Sequence, residues 1–343
     1  MRVLFLCMQM NSGFHGSMLH VLEYAEYFIQ KNADVHIGSV FISEENRKIA
    51  EDRGIHVHSL RELPVDTKYD LVFALHLLLF PYMVCRDLKY DHAIAVTLSA
   101  FLPVEKVPPS PFWSCFDLMV CISDEIIDMY QKYFNINPKY FTRIPNHVPL
   151  RFYDHVNIKQ EWNAEIKKIC VVSNYYIPEL SQLAELKTFE IDYYGSNYNN
   201  NVLITPDILL NYDVIITIGK TVQYGLSLGI PVFEYDHFGG CGYITLENIN
   251  EEEKMNFSGR TTKLKMTAEE MILRLQSGYD RACAEAAELR TIACDRYAID
   301  KLIEKQLAML PRERAPRALS RDAHLFANAC TAAINYIYYA LEH

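Results

Sequence analysis

The chain has 343 residues, half of them apolar and 22% charged, a globular composition with material for one or two sizeable cores. Lys and Arg number 33 against 43 Asp and Glu, a formal charge of −10. That balance argues against nucleic acid as a partner, since such affinity comes from neutralising phosphates. No uncharged apolar run reaches the roughly 18 residues of a membrane span.

At the N-terminus one Arg precedes a short apolar run and then Asn11-Ser12-Gly13, with no A-x-A-like site, which reads as a first strand and its loop rather than a signal peptide. Strands are expected at 2–7, 35–40, 70–75, 93–98 and 117–122, each apolar on both faces, as in a buried parallel sheet. Between the first two, residues 17–31 set Met18, Leu22, Ala25 and Ile29 on one helical stripe, with Ser17 as its N-cap. The pattern lapses over 145–165, where Pro145, Pro149 and a mixed stretch through Trp162 suggest a linker. A second strand series follows at 169–173, 190–194, 202–204, 213–218 and 230–234. Thr267 and Glu270 form a capping-box pattern opening a helical region that reaches about 310. Arg312, Arg314, Arg317 and Arg321, with Pro311 and Pro316, then precede an aromatic last helix holding Tyr336, Tyr338 and Tyr339. That tail either packs across both domains, the favoured reading, or makes peripheral contact with an anionic membrane. Leu341-Glu342-His343 reads as a tag remnant.

Strands alternating with helices predict an α/β fold of two doubly wound domains, 1–155 and 156–310, with 311–340 as a C-terminal Arg-rich segment and helix. Ligands of such folds bind at the carboxyl edge of the strands, here a cleft between the domains. The nine cysteines (7, 85, 115, 121, 170, 241, 283, 294 and 330) are odd in number and form no C-x-x-C. A reduced, cytoplasmic chain without structural zinc is the expectation.

The segment Gly219 to Val232 follows a strand and carries the densest chemical signal. Gly219 lets the backbone approach a ligand, the next helix offers free N–H groups, and Lys220 and Thr221 add a cation and a hydroxyl. A plain β–α turn with a solvated Lys accounts for the same residues. Further on, Gly239-Gly240 and Gly242 suggest backbone approach to phosphate or a glycine-rich turn alone, Asp236 and His237 can pair, and Arg260 suits bidentate phosphate contact.

Taken in order, these segments resemble the GT-B glycosyltransferases, the two-Rossmann-domain enzymes that use nucleotide sugars. Gly219–Val232 is similar to the stretch ending in G-x-P-V in family 4-type and MurG-like members, and Gly239-Gly240 to the glycine pair beside the donor diphosphate. Asn11-Ser12-Gly13-Phe14-His15-Gly16 resembles the acceptor-side glycine loop, Ser123 the end of a "V-S" strand, and Ile144-Pro145-Asn146-His147-Val148 the I-P-N-G-V before the second domain. Ser173, Asn174, Gly195 and Ser196 fall where donor-domain loops touch the nucleotide. The resemblance covers about residues 1–305 and implies a metal-independent transfer from a nucleotide-sugar co-substrate, without other cofactor, to a glycan or lipid-linked acceptor in surface polysaccharide synthesis. It implies roles for Lys220 and Arg260 at the leaving diphosphate and for His15 as a base if configuration inverts. Gln223, Tyr224 and His237 then lie on the donor side, and Gly13, Phe14, Gly16, His76 and Ser99 on the acceptor side. No D-x-D metal motif occurs. The sequence departs from the family where its ribose-binding acid falls on Tyr224, beside Gln223, where the upstream acid falls near Ile216, and where no acid follows the glycine pair before Glu247. An epimerase of the same fold and a non-catalytic nucleotide or glycan binder remain alternatives. A dinucleotide oxidoreductase is disfavoured, because no G-x-G-x-x-G follows the first strand.

Overall fold

The structure, a computed structural model, describes residues 1–11, 13, 14, 16–99, 102, 110–155, 162–312 and 319–342. The chain divides into two compact units. Met1–Ile144 with Glu304–His343 form the first, and Pro145–Ile303 the second. The division falls at 144/145 rather than 155/156, and the C-terminal residues join the first unit instead of standing apart.

In the first unit the chain runs β1 (Arg2–Met10), α1 (Gly16–Gln30), β2 (Asp34–Ile42), α2 (Glu44–Glu51), β3 (His56–Ser59), β4 (Tyr69–Ala74), α3 (Leu79–Cys85), β5 (Tyr90–Thr97), β6 (Leu118–Cys121), α4 (Asp124–Phe134) and β7 (Thr142–Arg143). These strands make one parallel sheet in the order β3-β2-β1-β4-β5-β6-β7. Helices cover the sheet, and the seven residues Val3–Cys7, Ile37 and Val35 are wholly buried, which is why these strands read as apolar runs instead of alternating. Ser17 is not a cap: α1 begins at Gly16, and Ser17 lies buried within its first turn. The cap expected of such a residue appears instead at Ser123, whose Oγ accepts the Ile126 N–H at 3.4 Å. β3 and β7 are short edge strands whose two to four residues give no periodic signal.

The second unit runs α5 (Leu150–Tyr153), β8 (Lys168–Val172), α6 (Pro178–Glu185), β9 (Glu190–Tyr194), α7 (Pro206–Leu209), β10 (Val214–Thr217), α8 (Lys220–Ser227), β11 (Val232–Asp236), β12 (Gly239–Tyr243), α9 (Ile249–Lys254), α10 (Ala268–Arg296) and the start of α11 (Ile299–Ala308). Its sheet has the order β12-β11-β10-β8-β9, parallel except for β12. Alternation along the strands splits the core between the two faces. Cys170, Ile215 and Val232 pack with Val222 and Leu226 of α8, while Ile169, Val171, Val214, Ile216 and Phe233 pack with Leu180 of α6 and Met271 and Leu275 of α10. Thr267 and Glu270 make the expected capping box, at 3.2 and 2.8 Å. The strand expected at 202–204 is absent: these residues run as coil into Thr205, which caps α7. Part of the expected linker is structured, because the Val148 N–H donates to the Tyr297 carbonyl at 2.7 Å and Val148 bridges Ala298.

The final helix, α12 (Arg321–Glu342), packs on α3 within the first unit through Ala323, Ala327 and Ile334. Tyr338 pins it there, its hydroxyl accepting the buried Leu60 N–H at 3.0 Å. Arg314 and Arg317 lie outside the described residues. Among the described residues no helix is long and apolar enough to cross a membrane.

Candidate functional site

In the second unit the chain leaves β8 for β9 on one side, then returns to β10 on the other. The β8 and β10 loops therefore part at the carboxyl edge of the sheet, the topological switch point where open α/β sheets hold ligands. Ser173-Asn174 follow β8, Gly195-Ser196 follow β9, Gly219-Lys220 follow β10 and His237 follows β11. Parallel pairing thus assembles residues more than 60 positions apart in sequence along a single edge.

Gly219 caps α8 with φ 64° and ψ −135°, a conformation that only glycine adopts readily. Its N–H is spent on the Phe257 carbonyl at 2.6 Å, which turns the chain so that α8 starts at once and leaves its first amides at the sheet edge. Lys220, half-buried in the first turn, places Nζ 2.8 Å from Nε2 of the fully buried His147. An ammonium can only donate, so His147 Nε2 accepts and that ring is neutral. The Lys220 cation also stands 5.7 Å from the Tyr224 ring, which is stacked on Phe152 at 4.2 Å. Tyr224 is thus a core residue that braces Lys220. Its neighbour Gln223 is 1% exposed, and its Oε1 lacks a hydrogen-bond donor among the described residues.

The donor-side loops hold one another. Ser173 Oγ accepts the Tyr175 N–H at 3.0 Å, and Asn174 Oδ1 accepts the Ser196 N–H at 3.1 Å. A Cβ on Gly195 would lie 1.8 Å from the Ser173 carbonyl oxygen, so glycine lets these two loops touch. Asp236 and His237 do pair, Nδ1 to Oδ1 at 2.5 Å. The His237 ring lies 3.8 Å from that of Tyr175 and 3.9 Å from that of Phe238, and the Arg260 guanidinium stands 4.8 Å over Phe238. The result is an aromatic cluster at the ends of β8 and β11 with Arg260 on its flank.

Gly239 and Gly240 behave differently from the sequence expectation. They form β12, and the Gly240 N–H donates to the Leu264 carbonyl at 3.1 Å, so it is not free for phosphate. A Cβ on Gly240 would fall 1.8 Å from the Glu234 carbonyl oxygen, so internal backbone packing is what demands glycine there. Beneath this hairpin Glu234 is fully buried, and burial, followed by the Glu252 charge, pushes its carboxyl up to about 8.

In the first unit the switch point lies between β1 and β4. Gly13, at φ 86°, and Phe14 follow β1, and Asn46 Nδ2 donates to the Asn11 carbonyl to hold that loop. Gly16 opens α1 with open space around its Cα. His76 follows β4 at 2% exposure and accepts the Met8 N–H through Nδ1 at 2.9 Å; burial lowers its pKa to about 4. Ser99 follows β5, half-buried. His15 lies outside the described residues. Sequence reasoning missed His147 and Tyr175. The first was visible only as a histidine where the resembled motif has glycine, the second only as an aromatic after a strand.

No family model and no curated protein matches the chain. Solved structures do. A glycosyltransferase from Rickettsia africae superposes with a TM-score of 0.58 at 15% identity, over 90% of this chain and 97% of that one. The pneumococcal O-GlcNAc transferase GtfA, in complex with UDP and GlcNAc, gives 0.55 at 10% identity over 90% and 98%. The fold is GT-B. A UDP-N-acetylglucosamine 2-epimerase from Listeria monocytogenes, described as putative in its own name, is similar at 0.51 and 12% over 90% and 95%. Gly219 and Lys220 lie in the second unit, Pro145–Ile303. At these identities the GT-B likeness speaks to architecture alone.

Proposed function

We propose that the chain moves a glycosyl group from a nucleotide-sugar donor, bound by the second unit, to a glycan or lipid-linked acceptor bound by the first. The observation that carries this reading is the convergence of the Gly219 turn, the α8 N-terminus and the braced Lys220 at the switch point of the second sheet. In the reaction an acceptor hydroxyl oxygen attacks the anomeric carbon. The bond from that carbon to the β-phosphate oxygen breaks, and the nucleoside diphosphate departs with the added charge. Lys220 and the first amides of α8 stand ready to stabilise that charge, which is where catalysis of this kind gains most. Arg260 adds a second cation, and the Tyr175–His237–Phe238 cluster offers an apolar face for the base. Gln223 Oε1, buried and without a donor among the described residues, suits a ribose hydroxyl in place of the missing acid. On the acceptor side the reading uses the Gly13–Gly16 loop, with His15 as base for an inverting reaction, near the strand ends bearing His76 and Ser99. The nucleotide sugar is the co-substrate, and the reaction runs in the cytoplasm, at the inner membrane face for a lipid-linked acceptor.

Calorimetric titration with UDP, GDP, CMP and NAD tests the donor assignment. One nucleoside diphosphate should bind the wild type and bind Lys220→Ala far more weakly; binding of NAD alone would sink the reading. The likeness to an epimerase favours one second reading, in which the donor alone is converted. Product analysis without acceptor separates the two.

A further inference from the structure

Behind the glycine hairpin, three side chains from three elements converge. Glu234 comes from the middle of β11, Cys241 from β12 and Glu252 from α9, with one oxygen or sulfur of each within 4.8 Å of the others. Glu234 is fully buried and Glu252 is 2% exposed. Glu234 Oε1 takes the Gly259 N–H, and its Oε2 lies 3.3 Å from Cys241 Sγ. Glu252 Oε2 is buried against this group with no hydrogen-bond donor among the described residues other than a proton shared with Glu234. Neither glutamate has a salt bridge among the described residues.

Two carboxylates out of water with no cation beside them are costly, and interiors resolve that with a proton or a metal ion. The donor set points to the metal. One thiol and two carboxylates, a mixed soft and hard set, match a borderline divalent ion such as zinc and do not suit magnesium or calcium, which prefer oxygen alone. Tetrahedral ligands at about 2.0–2.3 Å from zinc stand roughly 3.5 Å apart. Glu234 Oε2 and Cys241 Sγ, 3.3 Å apart, already have that spacing, and an atom at the 4.8 Å limit has to close by about 1 Å. The supporting shell is present as well. Asn248 Nδ2 lies 3.5 Å from Cys241 Sγ while donating to the Tyr243 carbonyl at 2.9 Å, and Asn248 Oδ1 accepts the Thr245 N–H at 2.8 Å. Cys241 is half-buried, which gives an ion a way in.

We propose that Glu234, Cys241 and Glu252 form a site for one divalent transition-metal ion of the zinc type, structural in role and distinct from the residues assigned to the sugar donor. The ion would join β11, β12 and α9. Through the bond from Gly259 to Glu234 it would also order the loop that ends at Arg260. The ion takes no part in the transfer step, and the proposal stands on this geometry even if the donor assignment fails.

The test uses the full, untagged, reduced chain, stripped with chelator and titrated with zinc or with cobalt in the absence of nucleotide. Elemental analysis after gel filtration should find about one ion per chain, and the cobalt form should show a thiolate-to-metal absorption band. Cys241→Ser should lose that band, and Glu252→Gln, nearly isosteric, should weaken binding at least about tenfold. Zinc should raise the melting temperature of the wild type and leave that of either variant unmoved. An unmetallated wild type, or equal binding by wild type and Glu252→Gln, would overturn the assignment. Should Cys241→Ser not fold, the wild-type stoichiometry and the Glu252→Gln titration decide it.

Discussion

Lys220 Nζ rests 2.8 Å from His147 Nε2, a contact between the first turn of α8 and the strand-like segment that opens the second unit. The neutral imidazole removes none of the lysine's charge but fixes where it points, and a fixed charge stabilises a leaving group without reorganisation. Lys220→Ala should therefore lower kcat by about 10²- to 10³-fold with circular dichroism unchanged. His147→Gln, which keeps an acceptor, should retain more activity than His147→Ala. Equal loss in the two His147 variants would show that the histidine only fills space.

Gly219 offers a cleaner test of the turn itself. A Cβ at this position would have Asn256 Nδ2, 4.0 Å away, as its nearest neighbour, so Gly219→Ala meets no steric obstacle. The cost comes from φ 64° and ψ −135° alone, about 1–3 kcal/mol for an L side chain. Chemical denaturation should show that loss, and nucleotide affinity should fall with it as the Gly219 to Phe257 bond loosens. Unchanged stability would mean that the turn relaxes freely.

Tyr175 is half-exposed, with its ring 3.8 Å from that of His237. If this face receives the base, Tyr175→Ala should cost about 1–3 kcal/mol of nucleotide affinity and leave pyrophosphate affinity untouched. Calorimetry with the nucleotide and with pyrophosphate reads both. A parallel loss for pyrophosphate would assign Tyr175 to loop packing through its bond to Ser173 instead.

Much of this architecture was legible in the sequence because it is written in local terms. β1, β4, β5 and β10 are buried on both faces and read as apolar runs, and Thr267 and Glu270 cap α10 with residues three apart. The misses have a different cause. β12 is rich in glycine, which speaks for a loop until Glu234 and Leu264 are seen to press against it. Residues 202–204 are apolar enough for a strand, but Asn199 in a left-handed turn and the Thr205 cap leave no room for one. His147 and Lys220 are 73 positions apart, and Glu234, Cys241 and Glu252 share no C-x-x-C-like spacing. Such residues become neighbours only once the strands, the β11–β12 hairpin and the helices have packed, and no periodicity records that.

The pH dependence of stability follows from His76. Its Nδ1 accepts the Met8 N–H, so protonating that atom would break a buried bond as well as bury a charge. Its folded-state pKa is about 4, set by burial, against 6.5 for the free side chain. Between these values the unfolded chain binds the proton and the folded chain does not, so stability is complete above pH 6.5 and is lost as pH falls toward 4. The full swing from this residue is at most about 3 kcal/mol. His36, also lowered to about 4 chiefly by burial, contributes in the same direction. Urea denaturation between pH 7 and pH 4.5 should therefore show the wild type weakening, and His76→Asn, which keeps an acceptor for Met8 but cannot titrate, should flatten part of that slope. An unchanged slope in His76→Asn would mean that the carboxylates and the other histidines govern the acid limb.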